Sequence, residues 1–143
     1  MAGPVYLDSS ALAKIYIHEA DSPEVDRLLR GRTDIFVSDL AITEVISAFS
    51  RRGREGPLSV GDLPRLHQTI LGEVESNIFA RVELTPEVHR LAERYLMAIG
   101  VVALRASDAL HLALATEIGA RTVFTTDRRL SEAARSISLA IRP

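Results

Sequence analysis

Leu104-Arg105-Ala106-Ser107-Asp108-Ala109-Leu110-His111-Leu112-Ala113-Leu114-Ala115 is the stretch on which the fold turns. From Asp108 onward it is rich in Ala and Leu. Apolar residues cover most of a helical circumference, the mark of a helix packed in the middle of a domain. Ser107 or Asp108 is its expected cap. Asp108 stands four residues from both Leu104 and Leu112, on their stripe. A carboxylate there is costly unless something compensates it. A cap accounts for Asp108 taken alone. The recurrence of the pattern along the chain asks for more.

Working outward, Val5-Tyr6-Leu7 is a short apolar run that reaches Asp8-Ser9-Ser10 and a helix over 11–19: a strand feeding a helix, with Asp8 at the strand's carboxyl end. Asp21-Ser22-Pro23 opens a second helix through Arg30, with Pro near N1 and Gly31 as the stop. Thr33–Val37 is a buried strand, and Ser38-Asp39 cap a third helix through about Arg52. Its expected buried face holds Leu40, Ala41, Val45, Ala48 and Phe49. Glu44 lies on that side, well inside the helix, where no cap explains it; an ion pair to an arginine would. Arg52-Gly53-Arg54-Glu55-Gly56-Pro57 is an expected loop, and 59–76 returns to helical spacing. Ile78–Leu84 alternates as a strand. Thr85-Pro86-Glu87 opens a helix to about Ile99, ended by Gly100. After the Asp108 helix, which closes near Gly119, Arg121–Thr125 is strand-like. Thr126-Asp127 cap a short helix through Arg135, and Ser138–Ile141 is a last edge strand. Strands and helices alternate with short connections, which predicts an α/β fold: a mostly parallel sheet of four to five strands between two helical layers.

A chain of 143 residues suits one domain spanning 1–143, with residues 39–76 as a helical subregion. The 47% hydrophobic content supplies a core, and the absence of cysteine excludes disulfides, zinc–thiolate sites and thiol catalysis. The start has no signal-peptide pattern and no apolar run is long enough to span a bilayer, so a cytoplasmic protein free of the membrane is expected. The net charge of −2 argues against gripping nucleic acid by bulk positive charge. Yet of 17 basic residues only Lys14 is a lysine, and arginine suits forked contacts to phosphate. Acids filled by divalent metal would turn the working charge positive, so the count leaves partners open.

In an open α/β sheet, ligands bind outside the carboxyl ends of the strands. If Asp8, Glu44, Asp108 and Asp127 converge there, repulsion governs the site. Two unit charges ~4 Å apart repel by about 4 kcal/mol at an effective dielectric near 20, against a total stability on the order of 5–15 kcal/mol. Protonation, arginine pairing or a cation would relieve it, and an all-oxygen donor set suits Mg²⁺ or Mn²⁺.

Tyr6-Leu7-Asp8-Ser9-Ser10-Ala11-Leu12-Ala13-Lys14, Ser38-Asp39-Leu40-Ala41-Ile42-Thr43-Glu44-Val45, Ser107-Asp108-Ala109-Leu110-His111-Leu112-Ala113 and Thr125-Thr126-Asp127-Arg128-Arg129-Leu130, in that order, resemble the successive motifs of PIN domains. More narrowly they resemble the VapC-type toxins of toxin–antitoxin pairs. The resemblance spans almost the whole chain. It implies a PIN-like three-layer fold, Mg²⁺- or Mn²⁺-dependent endoribonuclease activity, an RNA substrate, a cognate antitoxin and a homodimer. It assigns Asp8, Glu44 and Asp108 to the core metal-binding and catalytic acids and Asp127 to the more variable fourth. Ser9 and Thr126 match polar positions that support them. His111 is expected to pack and bond within its helix, with proton carriage as the alternative. Lys14, Arg105, Arg128 and Arg129 are candidate RNA contacts; for the three arginines a plain helix-surface role is as good an account. Two other classes compete: a PIN-like module that binds RNA or protein without cutting, and an aspartyl phosphotransferase. The second is disfavoured because Ser10 stands where that chemistry commonly has another acid.

Overall fold

The computed structural model describes residues 1–17, 22–55 and 61–142. Within them the elements run β1 (Val5–Leu7), α1 (Ser9–Tyr16), α2 (Ser22–Leu29), β2 (Ile35–Ser38), α3 (Asp39–Glu55), α4 (Asp62–Glu75), β3 (Ala80–Val82), α5 (Pro86–Ala98), α6 (Ala106–Glu117), β4 (Thr122–Phe124), α7 (Arg128–Ser136) and β5 (Ala140–Arg142). The five strands form one sheet in the order β3-β2-β1-β4-β5, and every pairing is parallel.

Side-chain alternation along the strands builds the two layers. Val5, Leu7, Ile35, Val37 and Phe124 meet α1 to α4 on one face. Tyr6 and Val123 meet α5, α6 and α7 on the other. Parallel strands covered on both faces are apolar throughout, and Val5, Tyr6 and Leu7 are each 0% exposed. Helix α6 is the centre of its layer, with Asp108, Ala109 and the run from His111 to Ala115 buried. This is the three-layer α/β/α arrangement expected from the Asp108 stretch.

Caps set most helix starts. Asp8, Thr85 and Asp127 accept the backbone N–H three residues on, and Ser38 Oγ accepts that of Ala41 at 3.0 Å. Gly31 and Gly119 take positive φ after α2 and α6, as the chain's stop signals require. Three expectations are corrected. Helix α6 begins at Ala106, so Asp108 is not its cap. It occupies the third helical position and accepts the Arg105 N–H at 3.0 Å, the reach-back half of a capping box. Helix α3 continues to Glu55, so the stretch from Arg52 to Glu55 extends the helix rather than opening a loop. Ala48 is only half-buried, and Ile42 is one of the fully buried residues of the α3 face instead. The expected helix end at 19, the Asp21 cap and the loop at Gly56-Pro57 lie outside the described residues.

Candidate active site

Chain order places β2 and β3 on one side of β1, then β4 and β5 on the other. The connections diverge between β1 and β4, a topological switch point, and a crevice opens at the carboxyl ends there. Asp8 follows β1 and Asp127 lies just beyond β4. A cavity of about 200 Å³ occupies this position, lined by Asp8, Glu44, Asp108 and Asp127 with Ser9, Ser10, Arg105 and His111 among their neighbours. The four acids singled out in the sequence, which come from four separate elements or their caps, thus face one hollow.

Each acid is held differently. Asp8 is 3% exposed; its Oδ1 accepts the Ala11 N–H at 2.9 Å and the Ser10 hydroxyl at 2.7 Å, and its Oδ2 accepts the Thr125 hydroxyl at 2.5 Å. Burial pushes its carboxyl above the ordinary carboxylate range, although His111 and these donors hold part of the rise back. Asp108 is 5% exposed and bonded to the Arg105 N–H. Asp127 Oδ1 accepts the Leu130 N–H at 3.0 Å. The Arg105 guanidinium stands 3.5 Å from both Asp108 Oδ2 and Asp127 Oδ2. Glu44, inside α3, meets no arginine among the described residues: Oε1 bonds His111 Nε2.

That last contact corrects the expectation for His111. Its ring bonds across the domain, to Glu44 on one side and to the Tyr6 hydroxyl at 2.7 Å on the other, not within its helix. Burial raises the Tyr6 phenol well above its ordinary value, so it stays protonated. The supporting hydroxyls are also shifted by one residue from those expected. Ser10 and Thr125, not Ser9 and Thr126, bond Asp8; Ser9 lines the cavity, and Thr126 gives its backbone N–H to Ser10 Oγ at 2.9 Å. Thr125 Oγ1 also accepts the Asp127 N–H, so one hydroxyl couples two of the acids. Among the candidate cations, Arg105 lines the cavity, whereas Arg128 is exposed and donates to Glu132 one turn along α7. Arg129 is exposed on the same helix.

A second cavity of about 200 Å³ adjoins the first through Ser10 and is lined by Lys14, Arg52, Thr126, Ala13, Ile17 and Ala48. Among the described residues no carboxylate lines it. Lys14 is therefore beside the acidic hollow rather than in it, and Arg52 joins it from α3, where no sequence pattern could associate the two.

Among the described residues no cysteine is present and no three acids or histidines form a ready-made metal cluster, but the donor set of the hollow is oxygen-rich. That fits a hard divalent cation which keeps several waters and takes one or two carboxylates directly, as Mg²⁺ does. It does not fit a closed thiolate or imidazole cage.

With this geometry in place, the comparisons with known proteins are consistent. The PIN domain family model matches residues 5–136. Ribonuclease VapC46 of Mycobacterium tuberculosis is 31% identical over 142 residues, covering 96% of this chain and 95% of the relative. Ribonuclease VapC35 of the same species is 33% identical over 141 residues, covering 96% and 94%. The crystal structure of Mycobacterium tuberculosis VapC20, described as a sarcin–ricin loop cleaving toxin, superposes with a TM-score of 0.73 at 18% identity, covering 97% of this chain and 99% of that one. FitAcB from Neisseria gonorrhoeae gives a TM-score of 0.67 at 18% identity, covering 97% and 96%. At such identity the two structures speak for the fold. The chain belongs to the PIN-domain family, in its VapC-type branch.

Proposed function

We propose that this chain is a divalent-metal-dependent endoribonuclease toxin that hydrolyses phosphodiester bonds in RNA and is silenced by a cognate antitoxin. The observation that carries the reading is the shared cavity of Asp8, Glu44, Asp108 and Asp127 at the carboxyl ends of β1 and β4. The relatives named as VapC ribonucleases support the same activity.

Asp8 and Asp108, the two most buried acids, would hold the cation, Mg²⁺ or Mn²⁺, together with Glu44, and Asp127 would support them. The bound ion supplies Lewis acidity, stabilising the charge that develops on the scissile phosphate. Glu44 stands across the hollow and accepts the proton of the attacking water. Ser10 and Thr125 fix the Asp8 carboxylate through both oxygens. Lys14 and Arg52 line the adjoining cavity and hold a neighbouring phosphate of the strand, so the substrate is a polynucleotide rather than a single nucleotide. Arg105, at the edge of the hollow, would reach phosphate as well as the acids, and Arg128 and Arg129 would act at the rim.

The antitoxin lays an apolar segment and a basic side chain across the hollow and the helices α3 and α4, masking the acids. The chain works as a homodimer, for which the exposed Leu96, Met97 and Val101 near the end of α5 offer an apolar contact. Static light scattering checks this directly.

The test of the activity is a cleavage assay on purified protein. RNA is cut with Mg²⁺ or Mn²⁺ and spared in excess EDTA, and Asp108→Ala abolishes cutting. Full cutting in EDTA would refute metal dependence. One feature favours the alternative of a silent binding module: Arg105 stands 3.5 Å from both Asp108 and Asp127 and offsets part of their repulsion without a metal ion. RNA binding with no cleavage under any divalent ion would select that alternative.

A further inference from the structure

Behind the acidic hollow runs a row of buried polar groups that the proposal above leaves unused. Tyr6 lies between Val5 and Leu7 in β1, so its side chain crosses to the α6 face. Its hydroxyl stands 2.9 Å from Ser38 Oγ and 2.7 Å from His111 Nδ1. The other ring nitrogen of His111 meets Glu44 Oε1. Tyr6 and Ser38 are 0% exposed and His111 4%, so these groups have given up water entirely and depend on one another.

Packing does not call for them. Phe at position 6 and Leu at 111 would fill a strand and a helix of this core with no polar group to satisfy. Ser38 has a separate task as the cap of α3, but Tyr6 and His111 cap nothing. What they do reach is the one acid that lacks a backbone anchor. Asp8, Asp108 and Asp127 each accept a backbone N–H, from Ala11, Arg105 and Leu130. Among the described residues Glu44 takes its fixing bond from a side chain alone. A glutamate inside a helix, with three rotatable bonds and a third of its side chain exposed, would otherwise wander at the cost of the site's geometry.

The bonding also assigns the protons. A Glu44 carboxylate only accepts, so Nε2 is the nitrogen that carries the proton facing it. In a neutral ring Nδ1 then accepts the Tyr6 proton, and the Ser38 hydroxyl, which already accepts the Ala41 N–H, donates to the Tyr6 oxygen. Every donor in the row points the same way, toward the carboxylate.

We propose that His111 is a positioning residue for Glu44: its ring, locked from behind by Tyr6 and Ser38, donates Nε2–H to Oε1 and holds the carboxylate in the cleft for cation and substrate. This rests on the reading of the acidic hollow as a metal-dependent nuclease site. It places His111 behind the chemistry, not in it.

Mn²⁺ titration calorimetry on the full chain tests it, beside thermal unfolding and cleavage rates. His111→Leu removes the donor and weakens Mn²⁺ binding by about 10- to 100-fold, the usual loss when a ligand's outer partner is removed. His111→Gln returns an N–H near the place of Nε2 and recovers most of that affinity, a rescue that a packing role would not produce. Tyr6→Phe keeps the volume, frees the ring, and weakens Mn²⁺ binding by less than His111→Leu does. It carries the test if His111→Leu fails to fold. Wild-type protein that binds Mn²⁺ and cuts RNA, with folded variants that bind Mn²⁺ equally well, overturns the positioning role alone. Wild-type protein that neither binds Mn²⁺ nor cuts RNA overturns the nuclease reading, and the positioning role with it.

Discussion

Two cavities of about 200 Å³ share the Ser10 side chain and differ in almost everything else. Among the described residues, one gathers four carboxylates against a single arginine and a histidine, and the other has Lys14 and Arg52 and no carboxylate. A formal net charge of −2 conceals this separation. On the proposed function, a polyanion laid across both is repelled at one end and held at the other, which gives holding the strand and cutting it to different places. The Ser10 hydroxyl stands at the divide, donating to Asp8 and accepting the Thr126 N–H. On the proposed function, the acidic half works on a phosphate only after its own charge has been answered by a cation.

The sharpest way to break the contrast is to remove an acid. Asp108→Ala should lower the RNA cleavage rate by on the order of 10³-fold, the scale for losing a group that acts on the transition state. RNA affinity, measured by fluorescence anisotropy in EDTA, should stay level or rise, because a repelling charge has gone. A parallel fall in affinity and rate would show that the acids hold RNA directly and that the two cavities are not separate in function.

The converse experiment reverses the basic half. Lys14→Glu with Arg52→Glu should weaken RNA binding by about tenfold or more. It should also flatten the dependence of log K on log salt by roughly 0.7 for each single-strand phosphate that the protein no longer neutralises. The cleavage rate at saturating RNA should change far less. An unchanged salt slope would remove Lys14 and Arg52 from the substrate path.

These two halves are unequally legible in the sequence. Asp8 and Asp127 stand out because each follows an apolar strand-like run, and Glu44 because a carboxylate interrupts a helix face of apolar spacing. Asp108 stands out on the same ground, although its role as an N3 carboxylate reaching back to Arg105 does not. The five-strand parallel sheet follows from alternation of elements, since its two-sided burial leaves a local mark on each strand. Tyr6, Ser38, His111 and Thr125 leave no such mark. Tyr6 reads as one more strand residue, and its partner on α6 is 105 positions away. Ser10 and Thr125 each lie one residue from the hydroxyl expected, because only the turn geometry decides which of two adjacent hydroxyls faces Asp8. The basic cavity is hidden for the same reason: Lys14 and Arg52 meet through the packing of α1 on α3, not through any spacing in the chain.

A smaller effect separates stability from function within the acidic half. Burial raises the Asp8 carboxyl above its ordinary value, so the folded chain holds that proton more tightly than the unfolded one. Between the ordinary and the raised value the folded state carries the extra proton, and stability falls as pH rises through that window. Above it the cost of the buried charge is present in full. Asp8→Asn keeps an oxygen for the Ala11 N–H and removes the charge. In EDTA at neutral pH it should therefore melt higher than wild type, by a difference that closes as pH drops below the ordinary carboxylate range. Mg²⁺ should raise the melting temperature of wild type and not of the variant. A variant that melts lower at every pH would mean that the bonds of Asp8 outweigh its desolvation.

The weakest test concerns the one cation inside the acidic half. Arg105 stands 3.5 Å from each of Asp108 and Asp127, long for a charge-assisted bond, and its side chain is 60% exposed. Pairs so placed are worth about 0–1 kcal/mol, enough to soften the repulsion between the acids and too little to lock them. A divalent ion entering the hollow must displace that contact. Arg105→Ala should thus bind Mn²⁺ at most about fivefold more tightly, the equivalent of ~1 kcal/mol, while its melting temperature in EDTA falls slightly. The two shifts have opposite signs only if the guanidinium stands in for the ion. Weaker Mn²⁺ binding in the variant would instead make Arg105 a brace for Asp108, acting with the cation rather than in its place.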